Sequence, residues 1–297
     1  MPHKTGPALN FQTQRLESGL YLVATPIGNA RDITLRALDT LASSEMIAAE
    51  DTRSARRLLD IHGIPSQGRR IIAYHDHNGP QARPVILDAI GAGASVAYVS
   101  DAGMPLIADP GFQLARAVIE AGFSVSTLPG PSAVLTALSV SGLATDRFLF
   151  VGFPPSSGGA RRTFLRSLPH GSGTIVLFES PRRVRGLLAD LCAVFGDDHA
   201  GCLCRELTKR FEDVRRGELK DLIAQVESDP PRGECVVLLE ERRAQVADPA
   251  EIRQALSAAL GEMSVKDAAA HVADAFGLKK RELYQMALTM KAGGDVG

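Results

Sequence analysis

Tryptophan is absent from the 297 residues, and only four cysteines occur, Cys192, Cys202, Cys204 and Cys235. They form no CxxC pair and no framework of the kind that staples small secreted domains, so packed, reduced thiols are expected. No stretch reaches the ~18 consecutive apolar residues of a membrane span, and residues 1–18 hold no apolar run of the signal-peptide kind. A cytoplasmic protein without membrane contact is expected. Net charge is lacking too: 33 Lys plus Arg stand against 34 Asp plus Glu, a formal charge of −1. That balance excludes a global pull toward nucleic acid and leaves any such binding to local patches.

What is present is enough apolar material, 45% of the chain, for two domains with buried cores. From Gly19 onward, short apolar runs (GLYLVATP, MIAAED, RRIIAYH, SVAYVSD, FSVSTLPG) alternate with longer stretches of helical periodicity. This alternation predicts parallel βαβ units with helices on both faces of a sheet. It breaks at GFPPSSGGARR, whose Gly, Pro and Ser read as a linker over 152–160. The expected organisation is therefore an N-terminal tail (1–18), a parallel-sheet α/β domain (19–151), a smaller mixed α/β domain (152–240) and a helical tail (249–297). In the second domain FLFVGF, TIVLFES, GCLCREL and CVVLLE read as strands, with helices over 181–195 and 217–228. The last two tail helices, separated at Gly277, resemble a helix-turn-helix.

Ligands of open parallel sheets collect beyond the carboxyl ends of the strands, so the loops there carry the chemistry. SDAGMPLIADPG (100–111) concentrates Gly103, Pro105, Pro110 and Gly111 in one loop after Asp101, an expensive connection that suits close approach of backbone to a flat ligand. TPIGN after the first strand reads equally as a plain turn. LPGPSAV (128–134) reads as a capped helix start or as free amides offered to a ligand. Glu50, Asp51 and Arg53 suit a helix cap with a local ion pair, or substrate contact. His75 and His77 have HxH spacing, but nothing elsewhere completes a metal site, so no metal is expected. Two basic patches stand out: five arginines against Asp60 over 52–72, and 11 Lys or Arg against 7 Asp or Glu over 161–216. Each alone fits a solvated face; together they favour an anionic substrate.

The order VATPIGN, EDTR, YHDHN, VSDAGMPLIADPG, LPGPSA, GFPP, FESPRR, RELTK and RGE resembles the ribosomal RNA branch of the tetrapyrrole methylase superfamily, the small-subunit (16S) rRNA cytidine 2′-O-methyltransferases. The resemblance spans about Gly19 to Glu240 and implies a two-domain α/β fold, S-adenosylmethionine in the cleft, and a homodimer acting on 16S rRNA or the small ribosomal subunit. Carried over, the cofactor loops fall on Ile27, Gly28, Asp101, Ala102, Gly103, Met104, Ile107, Ser132 and Ala133. The porphyrinoid branch has a GxGPGD loop where this chain has ATPIGN. Smaller departures are Met104 for a usual Thr, Ala108 for Ser, Arg183 for His and Asp76 for Glu.

A ribose hydroxyl is a weak nucleophile, so a proton acceptor or a cation near the developing oxyanion is expected. Asp51 and His75 are the candidate acceptors, Arg53, Arg205 and Lys209 the candidate cations, and Glu206 an orienting partner of Lys209. Arg53 and Lys209 are expected to flank the acceptor oxygen from opposite domains. RNA phosphates are expected at Arg56, Arg57, Arg161, Arg162, Arg182 and Arg183, and on the tail at Lys279, Lys280 and Arg281, where packing or dimer support is the competing role. Two other functions fit the same residues: porphyrinoid methylation, and RNA binding by a non-catalytic assembly factor.

Overall fold

Apolar strands that bury both faces organise the first half of the chain. In the computed structural model, which describes residues 11–169, 171–241, 249–276 and 278–293, that half runs β1 (Gly19–Val23), α1 (Leu35–Ser43), β2 (Met46–Ala49), α2 (Thr52–Ile61), β3 (Arg70–Ala73), α3 (Gly79–Gly91), β4 (Ser95–Val99), α4 (Gly111–Glu120), β5 (Val125–Leu128) and α5 (Ala133–Ser141). The five strands are parallel, in the order β3-β2-β4-β1-β5. Successive side chains of β4 serve opposite faces. Ala97 and Val99 pack with α1 and α2, whereas Val96 and Tyr98 pack with α3 and α4.

This order creates a crevice. The chain leaves β1 over one face toward β2 and leaves β4 over the other face toward β5, so the loops after the adjacent strands β1 and β4 diverge at their carboxyl ends. Those loops carry TPIGN and SDAGMPLIADP.

The second sheet is built from β6 (Phe148–Gly152), β7 (Thr174–Glu179), β8 (Ala200–Arg205), β9 (Asp213–Glu218) and β10 (Cys235–Leu239), in the order β6-β7-β10-β8-β9. Only β6 and β7 are parallel neighbours; the other pairs are antiparallel. Helices α6 (Gly158–Arg166), α7 (Val184–Phe195) and α8 (Leu219–Ser228) cover one face. The other face receives α5: Val134, Ala137 and Leu138 pack on Val176, Cys202, Cys204, Val236 and Leu238. Three of the four cysteines, Cys202, Cys204 and Cys235, are buried free thiols.

Three sequence expectations shift. Because β6 pairs with β7 and α5 packs on the second sheet, the two sheets divide the chain before β6, not at residue 152. The Gly-Pro-Ser segment is a loop inside the second unit, and its end, GGARR, already belongs to α6. Strand β9 was not expected, since DVRRGE has the composition of a solvated loop. It lies at the sheet edge, where charged residues are ordinary, and α8 consequently starts at Leu219.

The tail forms α9 (Pro249–Glu262), α10 (Val265–Phe276) and α11 (Lys280–Gly293), closed on a core that includes Leu256, Ala269, Val272, Leu283 and Ala287. The expected break at Gly277 and residues 1–10 of the expected N-terminal tail lie outside the described residues. No helix among the described residues is long and apolar enough to cross a membrane.

Candidate active site

The two crevice loops are stapled together. Thr25 N donates to Gly103 O and Gly103 N to Thr25 O, both at 3.0 Å. Gly103 holds a left-handed φ of +82° that a side chain tolerates poorly. Further along the loop, Leu106 and Ala108 adopt φ of 71° and 62° without being glycine. Such conformations cost of order 1–3 kcal/mol each and persist only where neighbours impose them. Here Asp109 does so, accepting from Leu106 N, from Gly111 N at 2.7 Å and from the buried Tyr98 hydroxyl at 3.0 Å.

This rigid loop forms one wall of a cavity of about 500 Å³. Of the nine expected cofactor residues, Ile27, Asp101, Ala102, Gly103, Met104, Ile107, Ser132 and Ala133 line it. Gly28 does not; it lies against Leu207, Thr208 and Lys209 of the second half. The lining also includes Glu50, Asp109, Phe153, Phe178, Glu179 and Glu234, and it contains no Lys, Arg or His. Glu179 and Glu234 are paired with Arg183 and Lys209 from outside the lining, whereas Glu50, Asp101 and Asp109 form no ion pair among the described residues, an excess of negative charge that suits a cationic ligand. Glu50 Oε2 accepts from Asp101 N at 3.2 Å. Burial, followed by the charges of neighbouring carboxylates, raises Glu50 and Asp101 above the usual carboxylate range. Sequence alone leaves Glu50 between a cap and substrate contact, because its place in the cavity wall depends on β2 and β4 being neighbours.

A second cavity of about 310 Å³ adjoins the first, with Ser100 and Asp101 common to both. Pro26, Gly28, Ser54 and Arg57 complete its polar and basic side. Nearby, Asp51 caps α2 by accepting from Arg53 N at 2.8 Å and binds the Arg53 guanidinium at 3.0 Å. That guanidinium holds the Asp51 carboxyl below its usual range, which makes it a weaker proton acceptor than Asp101. His75 follows the edge strand β3 and lines neither cavity; its backbone N donates to Asn78 Oδ1.

In the second half, Lys209 Nζ is held 2.9 Å from both Glu206 and Glu234. Burial opposes its charge, but the two carboxylates outweigh it and keep the ammonium protonated. Glu206 and Thr208 are again left-handed without being glycine, at φ of 48° and 66°. Arg205 binds Asp213 at 3.2 Å. Arg183 donates to the fully buried Glu179 at 2.9 Å and to Pro154 O at 3.1 Å, so it braces the cavity wall.

One expected phosphate contact is corrected by its burial and pairing. Arg161 and Asp190 each have only 8% of the side chain exposed and meet at 2.6 Å, so Arg161 points inward from α6; Arg162 reaches the other Asp190 oxygen at 2.7 Å but keeps 43% of its side chain exposed. Arg56, Arg57, Arg182, Lys279, Lys280 and Arg281 are exposed.

Residues 19–223 match the family described as Tetrapyrrole (Corrin/Porphyrin) Methylases, and residues 246–291 match the RsmI C-terminal HTH domain. The chain is 45% identical to the ribosomal RNA small subunit methyltransferase I of Mesorhizobium japonicum, with 93% of each chain covered. It is 43% identical to that of Escherichia coli O157:H7, over 91% of this chain and 94% of the relative. Its fold is similar to uroporphyrin-III C-methyl transferase from Thermus thermophilus complexed with S-adenyl homocysteine (19% identity, TM-score 0.53, 75% of this chain and 97% of the other). It is likewise similar to diphthine synthase (14% identity, TM-score 0.57, 75% and 89%). The chain belongs to the tetrapyrrole methylase family, among relatives that are ribosomal RNA small subunit methyltransferase I proteins.

Proposed function

We propose that the protein methylates small-subunit ribosomal RNA with S-adenosylmethionine as donor, and that the acceptor is the ribose 2′-oxygen of a cytidine in the decoding centre of 16S rRNA. The observation that carries this reading is the pair of cavities joined at Asp101, one walled by carboxylates and backbone, the other open toward the arginines of α2. The carboxylate wall fits a donor bearing a sulfonium and an ammonium. S-adenosylmethionine, when bound, supplies an electrophilic methyl carbon. What the chain contributes is alignment of that carbon with the acceptor oxygen, which alone can supply much of the acceleration.

Asp101 is the proposed proton acceptor, in place of Asp51 and His75. Its raised basicity favours taking a hydroxyl proton, and its backbone is fixed by Glu50. Lys209, fixed by Glu206 and Glu234, is proposed to hold its loop against the crevice where its Cγ abuts Gly28, while Arg205, paired with Asp213, is proposed to brace the second sheet. The exposed Arg56, Arg57, Arg182, Lys279, Lys280 and Arg281 are proposed to meet RNA phosphates in the cytoplasm. Homodimerisation is supported by Phe112 and Ile119, both more than half exposed and seven residues apart on one side of α4. Porphyrinoid methylation is disfavoured because relatives spanning more than nine-tenths of this chain are ribosomal RNA small subunit methyltransferase I proteins, and the tail matches the RsmI C-terminal HTH domain.

Mass spectrometry of ribosomal RNA from cells lacking the gene tests the assignment. Loss of one ribose methyl on a decoding-centre cytidine is the expected result; an unchanged modification pattern would overturn it.

A further inference from the structure

Beside the cofactor cavity lies a groove of about 580 Å³ to which neither the proposed catalysis nor the proposed phosphate footprint assigns a role. Its lining is Arg205, Glu206, Phe211, Asp229, Arg232 and Gly233, with Pro230 and Pro231 on its floor. Gly233 lines both spaces, so the groove opens directly onto the cavity rim. Glycine suits position 233: its φ is +79°, and a Cβ there would stand 2.0 Å from Glu206 Oε1 and displace that side chain from Lys209.

Phe211 is the unusual member. It is 66% exposed although the Arg210 guanidinium already covers its ring at 5.5 Å. The ring is not loosely displayed. Its loop is tied by Lys209 N to Glu206 O (3.0 Å), Glu212 N to Lys209 O (3.1 Å) and Thr208 N to Glu212 (2.6 Å). A large aromatic held in water on a fixed loop loses the free energy of burial, and the Arg210 contact recovers only part of that loss. The charges beside it divide clearly. Arg205 and Asp229 are ion-paired to Asp213 and Arg215, whereas Arg210 and Arg232 form no ion pair among the described residues. The uncommitted charge of the groove is therefore cationic.

We propose that this groove receives an unpaired nucleotide next to the methylated one, its base stacked on the free face of Phe211 and its phosphate met by Arg232. The inference rests on the RNA-methylating reading and deepens it. An aromatic face with adjacent guanidinium groups is what a single-stranded nucleotide recognises without regard to base identity, and Pro230 and Pro231 supply a stiff apolar floor. Stacking here extracts the neighbouring base from its own stack, so the target ribose is presented to the cavity on a strand already pulled open.

The absence of tryptophan makes the test direct. Phe211→Trp gives the full-length protein a single tryptophan, placed in the groove. An unstructured oligoribonucleotide is expected to quench its fluorescence, and an abasic oligomer of equal length and charge is expected to leave it unquenched. Equal quenching by both, or by neither, would overturn the proposal. With small ribosomal subunits as acceptor, Phe211→Ala is expected to raise KM for the subunit roughly five- to 150-fold with kcat nearly unchanged. Phe211→Tyr should restore it. An unchanged KM for Phe211→Ala, or no rescue by Tyr, counts against stacking. If the wild-type protein places no methyl on ribosomal RNA, the RNA-methylating reading fails, and the fluorescence comparison still decides the stacking site separately.

Discussion

A Cβ added to Gly28 would stand 2.4 Å from Lys209 Cγ, so the first loop of the parallel sheet and the charged loop of the second sheet meet with no room between them. Asn29 N donating to Thr208 Oγ1 at 3.1 Å lies beside this contact. Gly28→Ala must therefore separate the loops, Thr208 Oγ1 and Leu207 O being within 3.0 Å of the same point. Misplacement of reacting groups by about 1 Å costs roughly 100-fold in rate. A fall of that order in single-turnover methylation, with little change in melting temperature, is the expected outcome. Full activity would show that the contact is not needed to align the site.

Gly103 joins the cavity wall to β1, and that dual role sets what its replacement does. At φ +82° alanine costs about 1–2 kcal/mol, and its Cβ would meet Ile27 Cγ2 at 3.3 Å. Gly103→Ala should lower thermal stability and weaken S-adenosylmethionine binding together. Calorimetry showing unchanged affinity alongside a lowered melting temperature would reduce Gly103 to a purely structural role.

Asp101 and Asp51 differ in the direction of their shifts, and the pH–rate profile separates them. Burial and the Asp51 charge raise Asp101, while Arg53 lowers Asp51. If Asp101 accepts the proton, the rate rises with pH through a midpoint above the ~3.9 of an ordinary aspartate. Asp101→Asn should abolish most activity, and Asp51→Asn should keep that limb. An acid limb lost in Asp51→Asn would return the role to Asp51.

Arg161 and Asp190 form a buried pair, and removing Arg161 leaves the Asp190 carboxylate with Arg162 as its remaining cation. Arg161→Ala is expected to destabilise by about 1.5–3 kcal/mol, the loss of hydrogen bonding to a charged group, without changing the salt dependence of RNA binding. For Asp190, burial pushes the carboxyl up, but hydrogen bonds from Arg162 and Arg161 outweigh it and hold it below its usual range. A depressed carboxyl stabilises the fold fully above its unfolded pKa, and that contribution is lost as pH falls through the folded value. Acid denaturation of Asp190→Asn should accordingly lose part of its slope below about pH 4. A steeper salt dependence in wild type than in Arg161→Ala would put this arginine back on the RNA surface.

The sequence by itself determined the parallel sheet, because strands such as SVAYV bury both faces and must alternate with helices. It also determined the loop at 100–111, because so many Gly and Pro residues after one strand have few other uses. Composition misled at DVRRGE, whose charge is tolerated at a sheet edge, and at GGARR, where a Gly pair opens a helix that turns its first arginine inward to Asp190. Only the tertiary structure decided which residues share a wall. Glu50 and Asp101 meet because β2 and β4 are neighbours, and Gly28 meets Lys209 because α5 seats the second sheet against the crevice. Such contacts join residues far apart in the chain, and local spacing encodes periodicity and turns but not which distant surfaces close on each other.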